Sequence, residues 1–209
     1  MILHFFYDPL CGACHAVMPL IHTAHQTSGM RLELHAGGIL SCPRAGGHTD
    51  CAPRATGHAA DTAAAPALPF RNAYLDALPR AETRSPDPLP ATAAIQAAEA
   101  LTGQGLRMLA RILRGRLLEG SDIENPDVLR KFAHDLQLPA KGFASCFESW
   151  AGARSQTHVR TTRQWMERLG VARLPALVIE DGETWNQIPI QRYVDRPALW
   201  REVLETIAA

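Results

Sequence analysis

Two cysteines with two residues between them, Cys11 and Cys14, are the first place where this chain could do chemistry. A thiolate attacks a disulfide sulfur, and at CxxC spacing the second sulfur can reach back to close a disulfide or release a mixed one. The same spacing also serves as half a zinc site or as a pair of inert buried thiols. The flanking residues decide between these readings. Ile2 to Tyr7 (ILHFFY) is a short apolar and aromatic run, as expected of a strand buried on both faces. After Cys14, the apolar Val17, Leu20, Ile21 and Ala24 recur at helical spacing, with Pro19 inside the stretch as a candidate kink. The pair therefore stands where a strand hands over to a helix, with Cys11 at the positive end of the helix dipole, a place that favours thiolate. That setting puts redox chemistry ahead of the zinc and inert-thiol readings.

A second signal lies far along the chain, in Arg173-Leu174-Pro175-Ala176, where a proline immediately precedes an apolar strand. A cis bond at Pro175 would leave the Leu174 backbone free to pair with an extended thiol substrate beside Cys11. A trans proline that starts a strand is the plain alternative.

The elements that must position these residues follow from pattern. Met30 to Leu34 alternates as a second strand, and Gly37-Gly38 ends it. Ser41 to Pro69 has no clear period and reads as a long connection. Helical pattern resumes at Phe70 to Leu78, breaks at Arg84 to Pro90 and returns from Ala91 to Leu118. Further helices are expected after Asn125-Pro126, over Phe143 to Trp150 and over Thr157 to Leu169. Ala176 to Glu180 is a strand, Asp181-Gly182 a turn and Glu183 to Ile188 its antiparallel partner. A last helix has Asp195 as its cap, Pro197 in its first turn and a stripe of Leu199, Trp200, Val203, Leu204 and Ile207. The order is βαβ, a helical block, then ββα.

Taken together, Phe6-Tyr7-Asp8-Pro9-Leu10-Cys11-Gly12-Ala13-Cys14, Gly37-Gly38, Glu119-Gly120-Ser121-Asp122-Ile123 and Leu174-Pro175 resemble the DsbA-like thiol-disulfide oxidoreductases. The FrnE-like and DsbM-like branch is the nearest in look, and its members often lack a signal peptide. The resemblance implies an α/β thioredoxin fold with an inserted helical domain: residues 1–45 and 157–209 form the thioredoxin-like domain, and 46–156 the inserted loop and helical domain. It also implies Cys11 as nucleophile, Cys14 as resolving thiol and Pro175 as the cis proline, with Gly12, Ala13 and Leu174 facing the substrate. Protein disulfides or glutathione would be the partners, with glutathione a co-substrate and no cofactor tightly bound. The sequence departs from the branch at Ala13 and His15, where tryptophan and an aromatic are common. The related kappa-class glutathione transferases share the architecture, and Asp195-Arg196 resembles an aspartate-arginine pair they use near glutathione. A glutathione-dependent transferase or isomerase is thus an alternative, as is a non-enzymatic metal-binding module.

Composition sets the remaining bounds. Lysine plus arginine (21) balances aspartate plus glutamate (21), so no overall field favours nucleic acid or an acidic membrane surface. No run approaches the roughly 20 apolar residues that cross a bilayer. Tyr7-Asp8-Pro9 follows Met1 to Phe6 too soon for a secretory signal, so the expected compartment is the cytoplasm. Of the other clusters, Cys42, His48, Cys51 and His58 could enclose zinc or form a Cys42–Cys51 disulfide, but reduced thiols are the leading reading and no metal ligands are assigned. His22 and His25 read as an exposed helix face, Cys146 as a buried small hydrophobe, and Arg107, Arg111, Arg114 and Arg116 as a solvated basic face.

Overall fold

The computed structural model describes residues 1–38 and 87–208. The expected connection over 41–69, the helix over 70–78 and the Cys42, His48, Cys51 and His58 cluster lie outside the described residues.

Strand β1 (Ile2–Tyr7) leads into helix α1 (Gly12–Gln26) and then into β2 (Arg31–Ala36). β2 begins and ends later than its alternation suggests because it pairs in parallel with β1 as far as Tyr7↔Ala36. Near the end of the chain, β3 (Ala176–Asp181) and β4 (Thr184–Ile188) form a hairpin through Gly182, whose φ of 58° suits glycine. The sheet order is β2-β1-β3-β4, with β3 antiparallel to β1. This is the thioredoxin fold with helices between its two halves, as the sequence implied.

The helical block comprises α2 (Leu89–Thr102), α3 (Gly105–Leu118), α4 (Pro126–Asp135), α5 (Ala140–Trp150) and α6 (Ala153–Arg168). The single helical stretch expected from Ala91 to Leu118 is two helices. Gly103 takes a left-handed φ of 67° and closes α2, and the Glu99 carboxylate accepts the Gly105 N–H at 2.9 Å where α3 begins. Asn125 caps α4 as expected, its side chain accepting the Asp127 N–H at 2.9 Å. Cys146 is half-buried rather than buried. Arg111 is no free cation of a basic face, since it pairs with Glu119 and Asp135 and lies over the Phe132 ring. No helix among the described residues is long and apolar enough to cross a membrane.

The last helix, α7 (Pro197–Ala208), follows a 3-10 turn at Ile190–Tyr193. Trp200 and Leu204 are buried, Val203 and Ile207 half-buried, and Leu199 faces solvent, so the apolar stripe is narrower than its sequence suggests. Trp200 anchors the helix, its indole N–H donating to the Leu20 carbonyl of α1 at 2.9 Å. Buried indole needs such an acceptor.

Period-two alternation gives β1 two distinct faces. Leu3, Phe5 and Tyr7 share one with Leu32, Leu34 and Ala36 of β2, and His4 and Phe6 share the other with Glu33 and His35. Helix α6 covers the second face, where the Ala36 N–H donates to the His158 ring at 3.2 Å and Trp165 packs on His4 and His35. Burial lowers His158 to about 4, so its ring is neutral and able to accept.

That burial makes stability pH-dependent. The folded value lies below the ordinary 6.5, so the unfolded chain takes up the proton first as pH falls. The His158 contribution is present above about pH 6.5 and is lost progressively down to about 4, on the order of 3 kcal/mol in total. His158→Gln, whose amide oxygen can accept the same Ala36 N–H, should flatten this part of the curve. Urea midpoints measured across that window will check it; parallel curves for the two proteins would remove His158 as the cause.

Candidate active site

Cys11 ends the loop from β1 and is the N-cap residue of α1, with extended backbone (φ −86°, ψ 111°). Its sulfur accepts the Cys14 N–H at 3.3 Å, taking the capping role usually filled by a serine or aspartate oxygen. An N–H aimed at the sulfur from the first turn of a helix stabilises negative charge there. Asp8 fixes the approach: its carboxylate accepts the Leu10 N–H at 2.8 Å and its carbonyl accepts the Cys11 N–H at 3.0 Å. The Asp8-Pro9 dipeptide is the local turn signal that could have found this role.

The two sulfurs stand in unlike surroundings. Cys11 is 4 % exposed, whereas Cys14 is wholly enclosed, and burial first, then its neighbour Cys11, pushes the Cys14 thiol well above the ordinary value. Burial, and after it the Arg114 charge, lowers half-buried His15. His15 is therefore neutral near pH 7 and places no positive charge beside the cysteine pair.

Across the sheet, the Leu174-Pro175 bond is cis, and the Leu174 carbonyl oxygen lies 3.9 Å from the Cys11 sulfur although 163 residues separate them. The Pro175 carbonyl accepts from the Gln191 side chain at 2.9 Å, which ties this segment to the 3-10 turn. Leu174 and Pro175 are buried, Gly12 is buried and Ala13 half-buried, all next to the two sulfurs in chain or space. Arg163 of α6 donates to the carbonyls of Gly37 (2.9 Å) and Gly38, and so holds the segment after β2. No motif announced Gln191 or Arg163. Asp195 and Arg196 lie exposed at the start of α7, where the Arg196 carbonyl accepts the Trp200 N–H at 3.1 Å. Among the described residues, the group able to hold a metal is elsewhere: His4, Glu33 and His35, on the α6 face of the sheet.

No protein-family model and no curated protein sequence matches the chain. Among solved structures it is similar to the cytosolic disulfide reductase DsbM from Pseudomonas aeruginosa, with 36% identity, a TM-score of 0.81 and coverage of 99% of this chain and 98% of that one. The chain belongs to the DsbA-like thiol-disulfide oxidoreductases. A second structure of the Pseudomonas aeruginosa reductase, with GSH, matches at 36% identity and a TM-score of 0.80, again covering 99% and 98% of the two chains. A 2-hydroxychromene-2-carboxylate isomerase shares the fold of this oxidoreductase at 14% identity and a TM-score of 0.55, over 99% of this chain and 96% of that one.

The asymmetry between the sulfurs predicts how the reduced oxidoreductase alkylates. Limiting iodoacetamide at about pH 7.5 should modify Cys11 at least roughly ten times faster than Cys14. Peptide mass spectrometry over a time course reads the two rates directly; equal rates in the folded protein would contradict the environments described.

Proposed function

We propose that this thiol-disulfide oxidoreductase works as a reductase or isomerase coupled to glutathione, with Cys11 attacking and Cys14 resolving. The observation that carries the reading is the Cys11 sulfur itself, which caps α1 beneath the Cys14 N–H and lies against the Leu174 carbonyl. In the first step the Cys11 thiolate attacks one sulfur of a client disulfide, and the other client sulfur leaves as a thiolate. In the second, Cys14 loses its proton and attacks the Cys11 sulfur, which frees the remaining client thiol and leaves a Cys11–Cys14 disulfide. Two molecules of glutathione return that disulfide to the dithiol and leave as glutathione disulfide, so the net reaction moves two electrons to the client.

The groups around the pair support that direction. The strongly oxidising members of such couples are those whose reduced thiolate is heavily stabilised. Here the cap N–H and helix dipole favour thiolate at Cys11, Gly12 and Ala13 bring no charge, His15 is neutral, and the Asp8 charge acts against a thiolate at Cys14. The likeness to a cytosolic reductase solved with GSH supports the same direction, and with it a cytoplasmic location. Gly12, Ala13 and Leu174 would form the surface that receives a client, with Pro175 holding Leu174 in place. Asp195 and Arg196 would supply a second, polar contact for glutathione. A conjugating transferase would have to keep a glutathione adduct on Cys11, which Cys14 is placed to discharge. We also infer that residues 1–45 and 157–209 act as the thioredoxin-like domain around the inserted 46–156; in support, every described strand lies outside the insertion.

The ordered roles can be tested by trapping. Cys14→Ser should stall after the first step, leaving Cys11 bonded to glutathione or to a client, because serine does not attack disulfides as a thiolate does. Cys11→Ser should trap little. Both variants are expressed, thiols are blocked in acid, and adducts are compared by non-reducing gel and intact mass. Equal trapping by both, or by neither, would end the reading of an ordered pair.

A further inference from the structure

On the face of the sheet covered by α6, three potential ligand atoms converge. The His4 Nδ1 lies 2.9 Å from the His35 Nε2 and 3.7 Å from the Glu33 Oε2, and the last two are 3.9 Å apart. Tetrahedral bonds of 2.0 to 2.2 Å to nitrogen and oxygen put neighbouring ligand atoms about 3.3 to 3.6 Å apart, which these separations bracket. Small side-chain rotations would therefore bring all three to one ion.

The groups behind the ligands are arranged as a metal site requires. The other nitrogen of His4, Nε2, lies 2.9 Å from the Glu180 carboxylate, which fixes Nε2 as the donor and leaves the Nδ1 lone pair for the cluster. A carboxylate behind a ligating histidine is the usual orienting contact of such centres. Glu33 is turned in the same way: Arg31 holds its Oε1 at 2.5 Å, and Oε2 faces the histidines. His4 is 1 % exposed and stacks between His35 and Trp185, at 5.1 and 4.9 Å between ring centroids. Trp165 also packs on His4, and aromatic rings beside the cluster strengthen electrostatic binding by lowering the local dielectric. Glu33 and His35 also line a cavity of about 390 Å³ together with Gln96, Glu99, His158 and Trp165.

From this geometry we infer a binding site for a divalent transition ion of the zinc class, held by His4 Nδ1, His35 Nε2 and Glu33 Oε2, oriented by Glu180, with its fourth position toward the cavity. Two imidazoles and one carboxylate suit a borderline ion of this kind better than calcium or magnesium, which take oxygen ligands. When the ion enters, the hydrogen bond between the two imidazoles breaks. Its proton moves to the other nitrogen of His35 through solvent, so neither ring changes charge. The site is separate from the cysteine pair. His4 points to the α6 face, and about 10 Å of strand separate it from Tyr7, with three further residues before Cys11.

The cysteines are themselves zinc ligands, so the test silences them first. The full chain is oxidised to close Cys11–Cys14, the remaining thiols are alkylated, and Zn²⁺ is titrated by competition with a chromophoric chelator. One equivalent of Zn²⁺ should bind, and Co²⁺ in its place should give visible d–d bands without a sulfur-to-cobalt charge-transfer band. Glu180→Gln should weaken Zn²⁺ binding roughly 10- to 100-fold, and Glu33→Gln by at least as much, while circular dichroism and the metal-free melt stay near those of the parent. Failure of the thiol-blocked parent to bind Zn²⁺ at micromolar concentration overturns the inference without recourse to any variant. Binding that neither substitution weakens overturns it as well, because the ion would then sit elsewhere. None of these readouts depends on which cysteine attacks.

Discussion

Strand β1 is hydrogen-bonded along both edges, to β2 and to β3, and its side chains from Leu3 to Tyr7 are buried on both faces. A strand so enclosed can be neither shifted by one residue nor rotated, because either move would exchange the residues of its two faces. Everything that bears on chemistry is measured from it. The four residues after Tyr7, turned by Asp8 and Pro9, deliver the Cys11 sulfur to the start of α1, and the antiparallel neighbour β3 brings Pro175 and Leu174 to the same end. One strand thus fixes the distance between groups 163 residues apart in the chain. Its full burial also explains why His4 must be partnered at both nitrogens, since an unpaired ring nitrogen there would leave a desolvated polar group.

Legibility in the sequence depends on how local each cause is. The run ILHFFY, the CxxC and the apolar spacing of Val17, Leu20, Ile21 and Ala24 lie within 24 residues, and each speaks through short-range pattern, so β1, the pair and α1 are directly readable. The meeting of Leu174-Pro175 with Cys11 is a tertiary fact: a proline before an apolar strand leaves cis and trans open by itself, and it points to Cys11 when joined to the CxxC and the family resemblance. The break at Gly103 is hidden because the apolar period continues across it; a left-handed residue ends α2, and Glu99 supplies the cap for α3. Leu199 falls in the apolar stripe yet faces solvent, because helical spacing does not reveal how wide a face the neighbouring elements cover. Alternation alone stops β2 two residues short at its C-terminal end, and with that the pattern that sets Glu33 and His35 on one face is lost. Their meeting with His4 then depends on the parallel register of β1 and β2, for which the sequence holds no local signal.

Gly37 shows how helix α6 reaches the surroundings of the cysteine pair without touching it. Its place in the chain suggests a glycine that merely ends a strand, but the reason for glycine here is close approach. A Cβ at Gly37 would come within 3.0 Å of the Met166 sulfur and 3.2 Å of a Leu174 methyl carbon. Both neighbours are fixed: Met166 belongs to α6, and Leu174 is the residue whose carbonyl faces the Cys11 sulfur. The same α6 holds the Gly37 and Gly38 carbonyls through Arg163, and its His158 holds the Ala36 N–H. The end of β2 is thereby clamped between α6 on one side and Leu174 on the other, with no side chain of its own between them. The position of the Leu174 carbonyl over Cys11 is set by the packing of α6 on the sheet as well as by Pro175. Helix α6 therefore helps to hold the Leu174 carbonyl against the Cys11 sulfur, although it makes no contact with that sulfur among those described.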